Sequence, residues 1–139
     1  MSLGSVSAKN LDLAACYGDS HSSAWPATVY LALFNSDPSV VSDPTTVELT
    51  STGGYVRVAL TNSTASFAAP ASGSQANAID FALPASSAAY SASFSYWAYM
   101  SDATAGYVLD SGLITGGPFT VTVPGRIVVF VAGTLVVSA

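Results

Sequence analysis

Hydrophobic and polar residues alternate along much of this chain with the period of two that β-strands show. Residues 119–123 are a clear case, because one Phe and two Val residues alternate there with two Thr residues. Turn residues such as Gly116-Gly117-Pro118 separate such segments at about the 8–12 residue spacing of all-β sandwiches and barrels. The predicted strands are 28–34, 55–61, 79–83, 94–100, 107–114, 119–123, 127–131 and 135–137.

This pattern predicts an all-β fold, an antiparallel two-sheet sandwich of eight to ten strands that is jelly-roll-like. Residues 1–139 are predicted to form a single domain, in which the sandwich spans 28–139. One short helix is predicted in the N-terminal segment 1–18, because residues 7–17 place Leu and Ala at three- and four-residue spacing and Gly18 follows as a stop. The predicted core contains Ile79, Phe81, Val121, either Val128 or Val129, and Leu135.

Aromatic residues of the segment 94–100 fall on both of its faces. If the face with Phe94 points into the core, Trp97 and Tyr99 lie together on the opposite face. Exposed Trp and Tyr side chains dominate binding hot spots, so these two residues, with Trp25 in the preceding loop, are the candidate interface. The alternative is that the N-terminal helix or a long loop covers this face.

Charged residues are few, which narrows the classes of partner. The 139 residues include three Lys or Arg and eight Asp or Glu, so 8% are charged and the net charge is −5, whereas about 25% is ordinary. Lys9, Arg57 and Arg126 are scattered and form no basic patch, so no nucleic acid is expected as a partner. The most apolar stretch, 127–137, is interrupted and far shorter than the roughly 18 residues of a membrane-spanning helix, so no membrane is expected either.

The low charge also bears on the surface, which Ser, Thr and Ala must largely cover. Depletion of charge is characteristic of interface cores, so one interpretation is a surface that is mostly interface. The other is a neutral surface kept soluble by a modest negative charge. The single Cys16 allows no intramolecular disulfide, and we expect no signal peptide because the first residues lack its apolar run.

Residues able to do chemistry are present but do not form a recognisable site. His21 lies beside Asp19 and several serines, yet adjacent residues of one loop do not converge as a catalytic triad must. Cys16 falls on the buried face of the predicted helix, where a thiol is inert. Asp102 and Asp110 are interpreted as turn and surface carboxylates. We therefore predict no enzymatic activity, no metal and no cofactor.

Several segments, in the same order along the chain, resemble a known group of proteins. They are LDLAACYG (11–18), PATVYLALFNSDP (26–38), GGYVRVALT (53–61), NAIDF (77–81), YWAYMSDATAG (96–106) and VAGTL (131–135). Together they resemble small virion proteins of tailed bacteriophages, described as head-decoration (cement) or tail-fibre-like proteins. The resemblance implies a non-enzymatic structural part of the virion, synthesised in the host cytoplasm.

The charge and the length of the chain bear on where the protein is expected on the phage particle. A cement protein buries surface against the shell and against its own copies, which low charge suits, and a fibre needs a long repetitive stem to reach outward. We therefore favour a capsid decoration protein on the outer surface of the phage head, bound to the major capsid protein as a homotrimer or homodimer. The alternative is a tail or tail-fibre component involved in host attachment.

Overall fold

Antiparallel β-strands and turns form residues 26–138, which are the residues that the computed structural model describes. The strands are β1 (Thr28–Phe34), β2 (Val58–Thr61), β3 (Ser74–Ala76), β4 (Phe81–Ala82), β5 (Tyr96–Met100), β6 (Val108–Leu113), β7 (Val129–Phe130) and β8 (Val136–Ser138). The 3-10 turns are Pro38–Val40, Pro44–Thr46 and Thr52–Gly54. The predicted all-β, antiparallel class is confirmed for these residues, and the helix predicted over 7–17 lies outside them. No helix in this range is long and apolar enough to cross a membrane.

The largest sheet has four strands in the order β2-β1-β5-β6. β1 and β5 pair antiparallel, from Tyr30 opposite Met100 to Phe34 opposite Tyr96. β6 pairs antiparallel with the other side of β5. Because β1 and β5 are inner strands and most of their residues are buried, their sequences are continuous apolar runs rather than alternating ones.

Two compact units divide the chain, and each is assembled from separate stretches. Among the described residues, the first unit contains 26–28, Leu60–Phe81 and 130–138, and the second contains Val29–Ala59 and Ala82–Val129. The predictions of a single domain and of two sheets packed as a jelly-roll-like sandwich stay predictions.

A buried asparagine organises the turns of the first unit. The side-chain amide of Asn77 donates to the carbonyl oxygens of Ile79 at 2.9 Å and Val131 at 3.1 Å. Its Oδ1 atom accepts from the backbone N–H of Leu135 at 3.0 Å. The carbonyl of Asn77 itself accepts from Gly133 N–H at 2.9 Å. One neutral side chain thus satisfies backbone groups in a place where strands end and no ladder can do so.

In the second unit, residues 119–129 run antiparallel to residues 82–94 without a regular ladder. Phe94 and Phe119 exchange two backbone hydrogen bonds, at 2.8 and 2.9 Å, and their rings lie 6.0 Å apart. Further along, the hydroxyl of the buried Ser86 donates to a carbonyl at 2.8 Å and accepts from a backbone N–H at 3.0 Å on the opposite segment. The serine side chain therefore adds two hydrogen bonds to the two that the backbone of Ser86 makes with Gly125 and Arg126.

The strands predicted over 119–123 and 127–131 are longer than those observed. Residues 119–123 contribute one isolated bridge, and β7 is the strand within 127–131. Between them, Gly125 has a φ of 80°, a left-handed conformation that glycine adopts without strain. The chain therefore turns within the gap that separates the two predicted strands.

Some of the predicted core residues are buried and others are exposed, because some strands are shorter than predicted. Those found buried are Phe81, Val121 and Leu135. The prediction is wrong for Ile79 and Val129, which are 50% and 46% exposed, while Val128 is half-buried. β4 begins only after Ile79, so the alternation does not reach it, and in β7 the buried residue is Phe130, which turns Val129 outward.

Candidate functional site

The sequence left open whether Trp97 and Tyr99 lie on an exposed or a covered face, and the structure has both side chains buried. They are 4% and 1% exposed, with ring centroids 4.9 Å apart. Gly112 on the neighbouring strand leaves the space that the indole fills, because a Cβ there would lie 2.8 Å from Trp97 Nε1. Burial, followed by the charge of Asp110, raises the pKa of Tyr99. Trp25 lies outside the described residues, and the assignment of these three residues to an interface stays a prediction.

The residues considered for catalysis fall in different places. His21 and Cys16 lie outside the described residues. Asp102 is an exposed turn residue whose carboxylate accepts from the hydroxyl of Ser101 at 2.9 Å, and Asp110 is half-buried on β6. Within residues 26–138, no group of three or more His, Cys, Asp or Glu side chains is placed to hold a metal ion.

A buried ion pair between Arg57 and Glu48 forms the most elaborate polar cluster of the second unit. The Nε and Nη2 atoms of Arg57 donate to the two carboxylate oxygens of Glu48 at 2.9 and 2.6 Å, and the two side chains are 3% and 10% exposed. Nη1 donates to the carbonyls of Asp102 and Ala105 at 2.7 and 2.8 Å. We call Arg57, Glu48 and these two carbonyls the Arg57 clamp, because one guanidinium holds both a carboxylate and the turn after β5.

Tyr55 connects the Arg57 clamp to strand β1. Its hydroxyl donates to Glu48 Oε2 at 2.8 Å and accepts from the backbone N–H of Leu33 at 2.9 Å. Burial, followed by the charge of Glu48, raises the pKa of Tyr55. Burial alone would lower the pKa of Arg57. The hydrogen bonds to Glu48 and the negative charge of Glu48 outweigh this effect, so the pKa of Arg57 is raised. Both side chains therefore keep the protons that they donate in this network.

A shallow cavity of about 230 Å³ lies beside the Arg57 clamp, and its lining includes Glu48, Tyr55, Val56, Arg57 and Thr104. The Arg57 side chain is buried and already donates four hydrogen bonds. The arrangement is therefore suited to fixing the turn 102–105 rather than to receiving an anion.

A larger cleft, of about 420 Å³, opens along β6. One wall is the loop with the first two 3-10 turns, represented by Ser39 and Ser42, and the other wall is the chain from Gly106 to Ser111. Tyr107 belongs to this second wall and is 62% exposed. We call this feature the β6 cleft; it combines hydroxyl groups, a carboxylate and an exposed aromatic ring on one surface.

Two local hydrogen-bonded turns fix the loop wall of the β6 cleft. The Asp37 carboxylate accepts from the backbone N–H and the hydroxyl of Ser39 at 2.9 and 2.6 Å. The Asp43 carboxylate does the same with Thr45 at 3.1 and 2.6 Å. Hydrogen bonding to Ser39 lowers the pKa of Asp37. The proline that follows each aspartate presets φ for the turn.

Large hydrophobic side chains are unusually exposed for a chain with so little charge. In residues 26–138 they are Val40, Val56, Ile79, Tyr107, Leu113, Phe119, Val123, Ile127, Val129, Val131 and Val136. Four of them, Phe119, Val123, Ile127 and Val129, lie on residues 119–129 of the second unit. Such an accumulation of exposed apolar side chains is typical of surfaces that contact another molecule.

Comparison with known proteins gives a match that spans nearly the whole chain. Residues 8–138 match the family Gp80, described as Podophage GP4 fiber I protein gp80. This chain belongs to that family. It is therefore a structural fibre protein of a tailed-phage virion. The resemblance in its sequence implied a structural virion protein, either of the head or of the tail, and the virion assignment is confirmed. None of the curated proteins compared with the chain matches it.

Membership of a fibre family bears directly on the choice between head and tail. The family description favours the tail-fibre alternative over capsid decoration, which was the preferred interpretation of the sequence. Low charge was the main argument for decoration, but a fibre built from several chains also buries surface between its own copies. The charge deficit therefore does not distinguish the two locations.

Sequence reasoning missed the Arg57 clamp and the β6 cleft. A signal for the first was present, because Arg57 stands between Val56 and Val58 in an otherwise apolar stretch. A cation in such a place needs a buried partner, but the sequence does not say that Glu48 and a turn 45 residues away supply it. The β6 cleft depends on a loop and a strand that are distant in sequence, and no local pattern indicates it.

Proposed function

We propose that this chain is a non-enzymatic structural component of the tail fibre that works as a homo-oligomer and takes part in host attachment. The family match over residues 8–138 carries this proposal. The role in attachment is the function that was weighed as the alternative from the sequence. Its partners are further copies of the chain and a host surface, with no nucleic acid, membrane or cofactor.

Self-association is supported by residues 119–129. This segment contains four exposed apolar side chains and one charged residue, Arg126. Burial of the segment against a second copy would therefore remove apolar surface from water and desolvate few charges. A closed homodimer or homotrimer would satisfy this surface.

A structural rather than a catalytic role is supported by the hydrogen bonds of the Arg57 clamp and Tyr55. Arg57, Glu48 and Tyr55 bond to one another and to backbone groups. In such a network each polar atom has a structural task, whereas a catalytic group must face a substrate.

Self-association can be tested by sedimentation equilibrium of the purified chain, whose monomer mass is 14.0 kDa. We expect a homodimer or homotrimer, and we expect Ile127→Asp to shift it toward monomer because a charge would have to be buried in the contact. Val40→Asp is the matched control, since Val40 is 77% exposed but lies elsewhere in the second unit. A wild-type monomer at all concentrations would contradict the proposal.

The location on the particle separates the fibre from capsid decoration, whose partner would be the major capsid protein. Purified particles with and without the protein should be imaged and then heated. We expect density to be lost from the tail only, with host adsorption reduced and genome release at an unchanged temperature. Loss of density from the head surface, with genome release at a lower temperature, would instead support decoration, because a cement protein stabilises the shell that it binds.

A further inference from the structure

One edge of residues 119–123 is paired within the second unit. Phe119 exchanges two backbone hydrogen bonds with Phe94, at 2.8 and 2.9 Å. The carbonyl of Val121 accepts from the backbone N–H of Tyr90 at 2.9 Å. Both partners belong to the same antiparallel segment, so Phe119 and Val121 direct their backbone groups toward that segment.

The other edge of residues 119–123 is open. In an extended chain, successive residues direct their N–H and C=O groups to opposite edges, so Thr120 and Thr122 direct theirs away from the paired segment. Both residues are exposed, and neither makes a backbone hydrogen bond within residues 26–138. Backbone groups left at an edge in this way are a template for a further strand.

The sequence of residues 119–123 lacks the features that block exposed edges. Natural proteins protect an edge with charged side chains, especially Lys, or with Pro. Residues 119–123 contain neither, and Pro118 and Pro124 lie just outside them. Their apolar residues Phe119 and Val123 are each 42% exposed. An added strand would therefore find backbone partners and apolar surface without having to desolvate a charge.

The sequence around Val121 is nearly palindromic. Counting outward from Val121, a Thr stands on both sides, then an apolar residue on both sides, and then a Pro on both sides, in the sequence PFTVTVP (118–124). When two copies of one segment pair antiparallel about a twofold axis, residues equidistant from the axis stand opposite each other. An axis at Val121 would therefore pair Thr with Thr and Phe119 with Val123, both favourable cross-strand combinations.

Among the axes centred on this segment, the one at Val121 uses all the open backbone groups. It places Thr120 of one copy opposite Thr122 of the other, and each such pair can exchange two hydrogen bonds. An axis at Thr120 would instead place Thr122 opposite Pro118. An axis at Thr122 would place Thr120 opposite Pro124. Proline has no N–H to donate, so both of these registers lose hydrogen bonds.

We propose that a second copy of this chain pairs antiparallel with residues 119–123 about a twofold axis at Val121. The two copies then share one continuous set of strands, and Phe119 of each copy packs against Val123 of the other. This inference deepens the proposed self-association and rests on it. It specifies the register of the contact, and it makes the assembly a dimer, because a segment paired antiparallel with itself has twofold symmetry.

The register predicts which charges the contact tolerates. Thr120→Lys combined with Thr122→Lys places like charges directly opposite each other across the axis. The dissociation constant of the dimer, measured by sedimentation equilibrium, should therefore rise about tenfold or more. Thr120→Lys combined with Thr122→Asp is the matched control, because it adds charges at the same two positions but places Lys opposite Asp. Its dissociation constant should stay close to that of the wild type.

Both substituted residues are exposed, so both double variants should keep the far-ultraviolet circular dichroism of the wild type. Hydrogen exchange of the unmodified chain, followed by nuclear magnetic resonance, gives a second measurement that requires no variant. The amides of Thr120 and Thr122 should become protected as the protein concentration is raised, because only the dimer pairs them.

The proposal is overturned if the chain forms a trimer, or if these two amides exchange as fast in the dimer as in the diluted chain. It is also overturned if the Lys and Asp substitutions together weaken the dimer as much as the two Lys substitutions do. A dimer with fast exchange at Thr120 and Thr122 would remove this edge pairing and leave the self-association intact. A monomer at all concentrations would overturn both, so the two failures are distinguishable.

Discussion

Asn77 in the first unit and Arg57 in the second both hold irregular parts of the chain, but with different chemistry. Asn77 uses a neutral amide to serve the backbone groups of Ile79, Val131 and Leu135. Arg57 serves two carbonyls of the turn 102–105 and needs the carboxylate of Glu48 as well.

A buried amide and a buried guanidinium differ in the partners that each needs. A buried amide needs only hydrogen-bond partners, which backbone groups supply. A buried guanidinium also needs an opposite charge, and the carboxylate that supplies it must in turn be hydrogen-bonded, here by Tyr55. The Arg57 clamp therefore involves more residues than the hydrogen bonds of Asn77. Its contribution to stability depends on pH, whereas that of the neutral Asn77 amide does not.

The largest effect is expected from Arg57→Met, which keeps much of the apolar stem but removes the charge. Glu48 would be left as a buried carboxylate without a cation, so the free energy of unfolding should fall by about 3–5 kcal/mol. Urea denaturation measures this change. The double variant Arg57→Met with Glu48→Gln should recover part of the loss, and a loss below 1 kcal/mol in the single variant would contradict a buried clamp.

A smaller loss, of about 2–3 kcal/mol, is expected from Asn77→Ala, because it leaves buried backbone groups without their partner. The same urea denaturation applies. Ile79→Ser is the control: its carbonyl would still accept from Asn77 while its exposed side chain changes, so the effect should stay within about 0.5 kcal/mol. If both variants lost the same stability, burial of Ile79 rather than the amide would be responsible.

The smallest effect expected is the part of the alkaline pH dependence that comes from Tyr55, whose hydroxyl donates to Glu48 of the Arg57 clamp. Burial also raises the pKa values of Tyr90 and Tyr99, so part of the dependence remains without Tyr55. The pKa of Tyr55 is raised in the folded protein, so the unfolded chain loses this proton first as pH rises above the ordinary value of 10.0. Stability from Tyr55 is thus fully present below that value and falls above it, by up to about 1.4 kcal/mol per pH unit. Urea denaturation between pH 9 and 11 should show a shallower dependence for Tyr55→Phe. Asn77→Ala should keep the wild-type slope, and a changed slope there would argue against the distinction.

The sequence predicted the fold where a strand is long and paired on both sides. β1 and β5 coincide closely with predicted segments because their apolar runs are buried whichever face is considered. Alternation was less informative at residues 119–131, where the regular pairing is limited to one isolated bridge at Phe119 and to the two residues of β7. A period-two pattern describes which residues would share a face, but the partner strand decides whether the face exists.

The same reasoning explains why the sequence could not decide whether Trp97 and Tyr99 are exposed or covered. Alternation along one strand assigns them to the face opposite Phe94, and burial of both faces depends on neighbouring chain such as Gly112. Conversely, the β6 cleft was missed because Tyr107 was predicted to be a strand residue. Its exposure depends on where β6 begins, at Val108 rather than at Tyr107.

The two aspartate turns beside the β6 cleft also determine how that wall acquires its shape as the chain folds. Each bond from Asp37 or Asp43 reaches a residue only two positions away, so its formation closes a very short loop and costs little chain entropy. The opposite wall, β6, takes its place by pairing with the adjacent strand β5, and closing a loop of about ten residues takes roughly 10–100 ns. Both walls thus arise from short-range closures, and the slow event in forming the cleft is bringing two preformed pieces, some 70 residues apart in the sequence, to face each other.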